Sequence, residues 1–229
     1  MSKIALSSNS SGTGTFTIAS PNSNTNRTLT LPDATGTVLS NTDIASQAEA
    51  EAGTDNTKLM TPLSVSQAID AQNIYLSPLV TLSGANVDFT DIPATARRVT
   101  VMLSGLSSNS TVVPLLQLGD AGGIEATGYV GSSTVVAAND NTSAAQHTTG
   151  AGLSSTYATT IIVSGSISIN LMDATTNMWV ITGVLGRNDT AATHNIGYTK
   201  SLSATLTQVR LAAGAASSFD AGSATVSWE

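Results

Sequence analysis

Five carboxylates, Asp88, Asp91, Asp120, Glu125 and Asp220, are the side chains best suited to breaking a bond, and that bond would be glycosidic. Two carboxyl groups about 5 to 9.5 Å apart across the linkage suffice for acid–base hydrolysis. These five, however, stand in turns and at strand ends, where Asp commonly hydrogen-bonds its own backbone. A nucleophilic triad would need a positioned histidine. The chain has two, His147 and His194, each in a polar stretch read as a solvated loop, and it has no Gly-x-Ser-x-Gly elbow. Asn139-Asp140-Asn141 offers the oxygen ligands that calcium takes, without the glycine and distal Glu of an EF-hand. Gly12-Thr13-Gly14 and Gly119–Gly123 lack the Lys-Ser/Thr and the helix of a phosphate loop. The expectation is no enzyme, no metal and no cofactor.

Binding is the chemistry these residues suit better. The segments Ala138–Gly152 and Arg187–Lys200 read as two polar loops, and loops beyond about 12 residues are usually functional. They supply Asn139, Asp140, Asn141, His147, Asn188, Asp189, His194, Asn195 and Tyr198 as candidate receptor contacts. Tyr198, between Gly197 and Thr199, is the aromatic best placed to be exposed. An aromatic face beside Asn and Asp suits a sugar, one giving stacking area and the others hydrogen bonds. Trp179 and Trp228 fall at strand spacing and belong to a core.

Composition narrows the partners. Charged residues make up 10% of the 229 positions, against about 25% in an average domain. The net charge is −7 and Arg97-Arg98 is the one basic pair, so no stripe exists to track phosphates and no nucleic-acid partner is expected. The start, MSKIALSSNSSG, lacks the apolar run of a secretory signal, and no stretch is long and apolar enough for a membrane helix, so membrane insertion is not expected. Cysteine is absent, which leaves the redox compartment unread.

The elements that must position these residues divide the chain in three. Of nine aromatics, only Phe16 and Tyr75 precede residue 80, and aromatics supply much of a core's buried area. Residues 1–41 hold the alternating segments Thr15–Ile18, Thr28–Leu31 and Thr37–Leu39, short strands with two or three apolar side chains each. Residues 42–78 read as a helical neck. One helix spans 42–52 with Thr42 as N-cap and Gly53 as stop, and another starts at Thr61-Pro62. Ile44, Ala48, Val65 and Ile69 form apolar stripes on these helices, which are too short to stand alone in water. Both segments would find their core in sister chains. Residues 79–229 read as all-β, with strands at Val80–Leu82, Asn86–Phe89, Arg98–Leu103, Val112–Leu118, Ile124–Val130, Thr134–Ala137, Tyr157–Val163, Ser166–Met172, Met178–Leu185, Ser203–Leu211 and Ala224–Trp228. Regular short strands of this kind make a sandwich or a jelly roll.

The run TLTLPDATGTVL, followed by AEAEAGTDNTKLMTPLSVSQAI, resembles the shaft and neck of bacteriophage tail fibres. Leu82–Gly131, together with LTQVRL and FDAGSATVSWE within Leu202–Glu229, is similar to the tip domain of related fibres. The two long loops match nothing in that family. The resemblance implies a mainly β homotrimer: a short β shaft, a helical neck, and a C-terminal jelly-roll-like antiparallel sandwich. In such fibres the N-terminal end docks on a tail or baseplate protein and the C-terminal domain touches the host. The implied role is a virion tail fibre that attaches the phage to a surface glycan or outer-membrane protein. A purely structural collar or head fibre is the alternative, and a glycan-cleaving tailspike a second one, although the chain is short for the β-helix such enzymes carry.

Overall fold

The computed structural model describes residues 11–229, apart from Phe16, Ile18, Ser20, Leu29, Leu31, Pro32, Ala34, 36–39, 72–73 and 139–141. Two compact units result, Met1–Asp43 and Ile44–Glu229. Between 11 and 40 the described residues form neither strand nor helix, and each side chain is exposed. The apolar positions of the three expected shaft strands lie outside the described residues.

In the second unit, helix α1 (Gln47–Ala52) starts four residues later than expected. Asn41–Asp43 turns as a short 3-10 segment instead, and Ser46 is the cap. The reason is the Ser-x-x-Glu spacing, a reciprocal capping box. The Ser46 N–H donates to the Glu49 carboxylate at 2.8 Å, and the Glu49 N–H donates to the Ser46 hydroxyl at 3.4 Å. Gly53 ends the helix in the left-handed conformation at φ 61°, which glycine adopts without penalty. Helix α2 (Pro62–Ala71) begins where Thr61-Pro62 predicts, with the Ser64 N–H donating to the Thr61 hydroxyl. A β-bridge ties Ile44 to Leu59, so the helices are linked by backbone as well as by contact.

Fourteen strands follow among the described residues. In chain order they are β1 (Tyr75–Leu76), β2 (Val80–Thr81), β3 (Asn86–Phe89), β4 (Arg98–Ser108), β5 (Leu115–Asp120), β6 (Gly123–Ile124) and β7 (Val130–Ala137). Then come β8 (Thr142–Ala145), β9 (Ala151–Gly152), β10 (Val163–Asp173), β11 (Met178–Arg187), β12 (Ala192–Ser201), β13 (Gln208–Ala212) and β14 (Phe219–Trp228). The larger sheet runs β1-β14-β4-β10-β11-β12-β7-β8, with β2 also on β14; the smaller runs β3-β13-β5-β6, with β9 on β5. Every pairing between these strands is antiparallel. The chain is therefore mainly β. One buried cluster joins the sheets: Val99, Val101, Ile167, Ile169, Trp179 and Ile181 from the larger meet Phe89, Leu116, Leu118, Val209 and Leu211 from the smaller.

Several expected elements need correction. Arg187–Lys200 is not a loop; nine of its residues belong to β12, whose side chains alternate buried and outward along its length. The alternation is hidden in the sequence because His194 and Lys200 occupy inward positions along with Ala192, Ile196 and Tyr198. Ala138–Gly152 contains two strands, β8 and β9, the first pairing with β7. Conversely, Tyr157–Ile162 is irregular, with the Tyr157 hydroxyl donating to the Ile161 carbonyl at 3.1 Å. The strand expected from Ser203 begins only at Gln208, because Ser203 and its neighbours are engaged by side chains across the fold.

Candidate functional site

The candidate receptor residues fall into three groups. Asn188 and Asp189 sit exposed in the β11–β12 turn. Asp189 accepts two hydrogen bonds from Arg187, from Nε at 2.9 Å and from Nη2 at 2.5 Å. That guanidinium holds the Asp189 carboxyl below its usual range. The Asn188 N–H donates to the Ile162 carbonyl, and the Ala138 N–H donates to Ala191 across to the end of β7. The β11–β12 turn thus lies beside the end of β7. Asn139, Asp140 and Asn141 lie outside the described residues.

His147, His194 and Tyr198 are brought together elsewhere, in a structural role. His194 is fully buried, and its Nδ1–H donates to the Leu153 carbonyl at 3.2 Å. The Nε2–H of His147 donates to the next carbonyl, Ser154, also at 3.2 Å. Ser133 donates to the Gly152 carbonyl and lies 3.1 Å from the Tyr198 hydroxyl. Together with the Ser143–Ser155 hydroxyl contact at 2.6 Å, these bonds clamp the strap 152–155 over β7 and β12. The expectation of a solvated His194 and an exposed Tyr198 is therefore corrected: Tyr198 is 3% exposed. Desolvation pushes the His194 pKa below 6.5, because the charged form would lose its hydration.

Three of the five carboxylates, Glu125, Asp120 and Asp88, are occupied as well. Glu125 pairs with the buried Lys200 and accepts from the Ser203 N–H at 2.7 Å. Asp120 accepts from the Ser203 hydroxyl at 2.7 Å and from the Gly122 N–H at 2.7 Å, the latter an Asx-type turn. Hydrogen bonds to Ser203 and Gly122 lower the Asp120 pKa, and Lys200 and Ser203 lower that of Glu125 against the opposing effect of burial. A general acid needs a raised pKa. Asp88 binds Arg210 through both oxygens, at 2.6 and 2.8 Å. Lys200 also lies 5.8 Å from the centre of the Tyr129 ring, whose hydroxyl accepts from the Leu118 N–H.

Asn195 belongs to a third place, the outward face of the larger sheet. With Ser166, Ser168, Thr182 and Val184 it lines a shallow depression of about 440 Å³. The sequence did signal this face, since Ser166, Ser168 and Asn170 alternate with the core residues Ile167 and Ile169. No protein-family model, curated protein or solved structure matches the chain.

Proposed function

We propose that the chain is a homotrimeric bacteriophage tail fibre that attaches the virion to a host surface receptor, a glycan or an outer-membrane protein. Residues 1–41 would form the shaft and the attachment to a tail or baseplate protein, 42–78 the neck, and 79–229 the jelly-roll-like receptor-binding domain. The carrying observation is the neck of a single chain. Leu63 is 66% exposed, Ile69 59% and Leu59 51%, with Ile44 and Val65 also open and Ala48 exposed beside them. Helices of six and ten residues are marginal in water without tertiary support, and large apolar groups left open along them favour association. Sister chains would cover them. Two antiparallel sheets with the early strand β4 beside the last strand β14 agree with a jelly-roll-like tip.

Receptor contact is assigned to the β11–β12 turn, carried by Asn188 and Asp189. The occupied, low-pKa state of Asp120 and Glu125 favours attachment over glycan cleavage. Light scattering on the purified protein should report three chains per particle; a folded monomer would overturn the fibre reading. Replacing Asn188-Asp189-Thr190 with Gly-Ser-Gly should leave that mass unchanged and abolish competition with phage for host cells.

A further inference from the structure

The outward face of the larger sheet is wide, regular and almost without charge. Six strands contribute to it, and Thr225, Met102, Ser166, Val184, Asn195 and Thr134 stand in one row across them. The next row is Ser227, Thr100, Ser168, Thr182, Gly197 and Ser132. No charged side chain stands in either row. Arg98, at the rim, is paired with Glu229. Apolar groups are nevertheless open here: Val184 is 55% exposed and Val130 71%.

From these features we infer that this face is a subunit interface covered by a second copy of the same chain. The inference rests on the reading of the protein as an oligomer and deepens it by placing a contact in the tip as well as in the neck. Charge argues for self-contact. Each chain carries −7, so contact between two copies is least opposed where the meeting surfaces add no charge of their own, and this face adds none. A glycan or a foreign protein imposes no such condition. Area argues the same way. Six strands about 4.8 Å apart and seven residues of about 3.3 Å rise give a flat footprint of roughly 600 Å². Side-chain relief enlarges that towards the roughly 800 Å² per partner of a stable complex. Continuity is the third argument. Leu76 of β1 pairs with Ser227 at the edge of this face and is 64% exposed, and β1 lies at the end of the neck segment 42–78.

The chain contains no cysteine, so a single introduced thiol reports on one place. The test labels Val184→Cys in the full-length native protein with a soluble thiol reagent, with Thr90→Cys on the exposed loop after β3 as reference. The expected result is labelling at least twentyfold slower at 184 than at 90. Should Val184→Cys fail to fold, Ser166→Cys in the same row serves instead. Equal labelling rates in a particle of three chains would overturn the interface while leaving the fibre reading intact. Labelling that is fast in the protein alone and slowed only by added bacterial surface glycan would overturn it too, by making the face a ligand surface. Protection at 184 in a protein that does not compete for host cells would uphold the interface and remove the receptor reading.

Discussion

His194 shows how a residue chosen for recognition turns out to hold the fold. It is buried beside β7 and the strap, with Nδ1 on Leu153 and, among the described residues, no hydrogen-bond partner for Nε2. Its folded pKa lies below 6.5, so the unfolded chain takes up the proton more readily. Stability is then level above about pH 6.5 and falls as pH drops below it, by up to about 1.4 kcal/mol per pH unit for one proton. Asp120 and Glu125 have lowered pKa values, so their contribution persists until the acid carboxylate range and leaves the window between pH 6.5 and 5 to His194. Urea midpoints across that window should decline in the native protein and flatten in His194→Asn, whose amide can reproduce the bond to Leu153. An identical decline in both would assign the titration elsewhere. Lys200 gives a second prediction. Its ammonium is buried against Glu125 and the Ser201 carbonyl, and removing one partner of a buried pair costs about 3 kcal/mol. Lys200→Met should lower unfolding free energy by about that much with the mass of the particle unchanged. These roles were illegible in the sequence because a polar side chain facing inward looks the same, on paper, as one facing water.

At the scale of elements, local chemistry was readable and long-range pairing was not. Thr61-Pro62 opens α2 and Gly53 closes α1, since each is set by residues within one turn. The alternation in β10 and β11 also declared its buried face, with Ile167, Ile169, Trp179, Ile181 and Leu185 in the core. β12, which pairs with β11 and β7, was not legible because His194 and Lys200 break the inward apolar row of Ala192, Ile196 and Tyr198. The bulge between β4 and β14 was equally hidden. Gly222 adopts φ 101° where the β14 register shifts, and an added Cβ would lie 2.5 Å from the Gly105 carbonyl oxygen. Backbone of that kind costs other residues about 1 to 3 kcal/mol, and the clash adds to it. Gly222→Ala should therefore destabilise the tip by roughly 3 kcal/mol in urea unfolding. Ser46→Ala, which removes half of the α1 capping box, should cost about 1 kcal/mol, a loss readable as faster amide exchange in Gln47–Ala52. A Gly222→Ala protein as stable as the parent would mean that β4 and β14 can part at this point.

At the scale of the whole molecule, charge decides how the proposed trimer must respond to salt. Three chains bring together 3 × −7 = −21, while the open apolar side chains of the neck and the two rows of the outer sheet face that would meet carry no charge. Attraction across those surfaces would come from burial of apolar groups, which salt does not screen, and the opposing repulsion acts between exposed carboxylates, which it does. Raising NaCl from 0.1 M to 1 M shortens the Debye length from about 10 Å to about 3 Å. Association should accordingly hold or tighten over that range. An assembly held by ion pairs between subunits would behave in the opposite sense. Sedimentation equilibrium at protein concentrations near half-dissociation separates the two. A dissociation constant that is unchanged or smaller at 1 M fits three neutral faces in contact, and one that grows tenfold would show that charged rims, Arg98 and Glu229 among them, hold the subunits together instead.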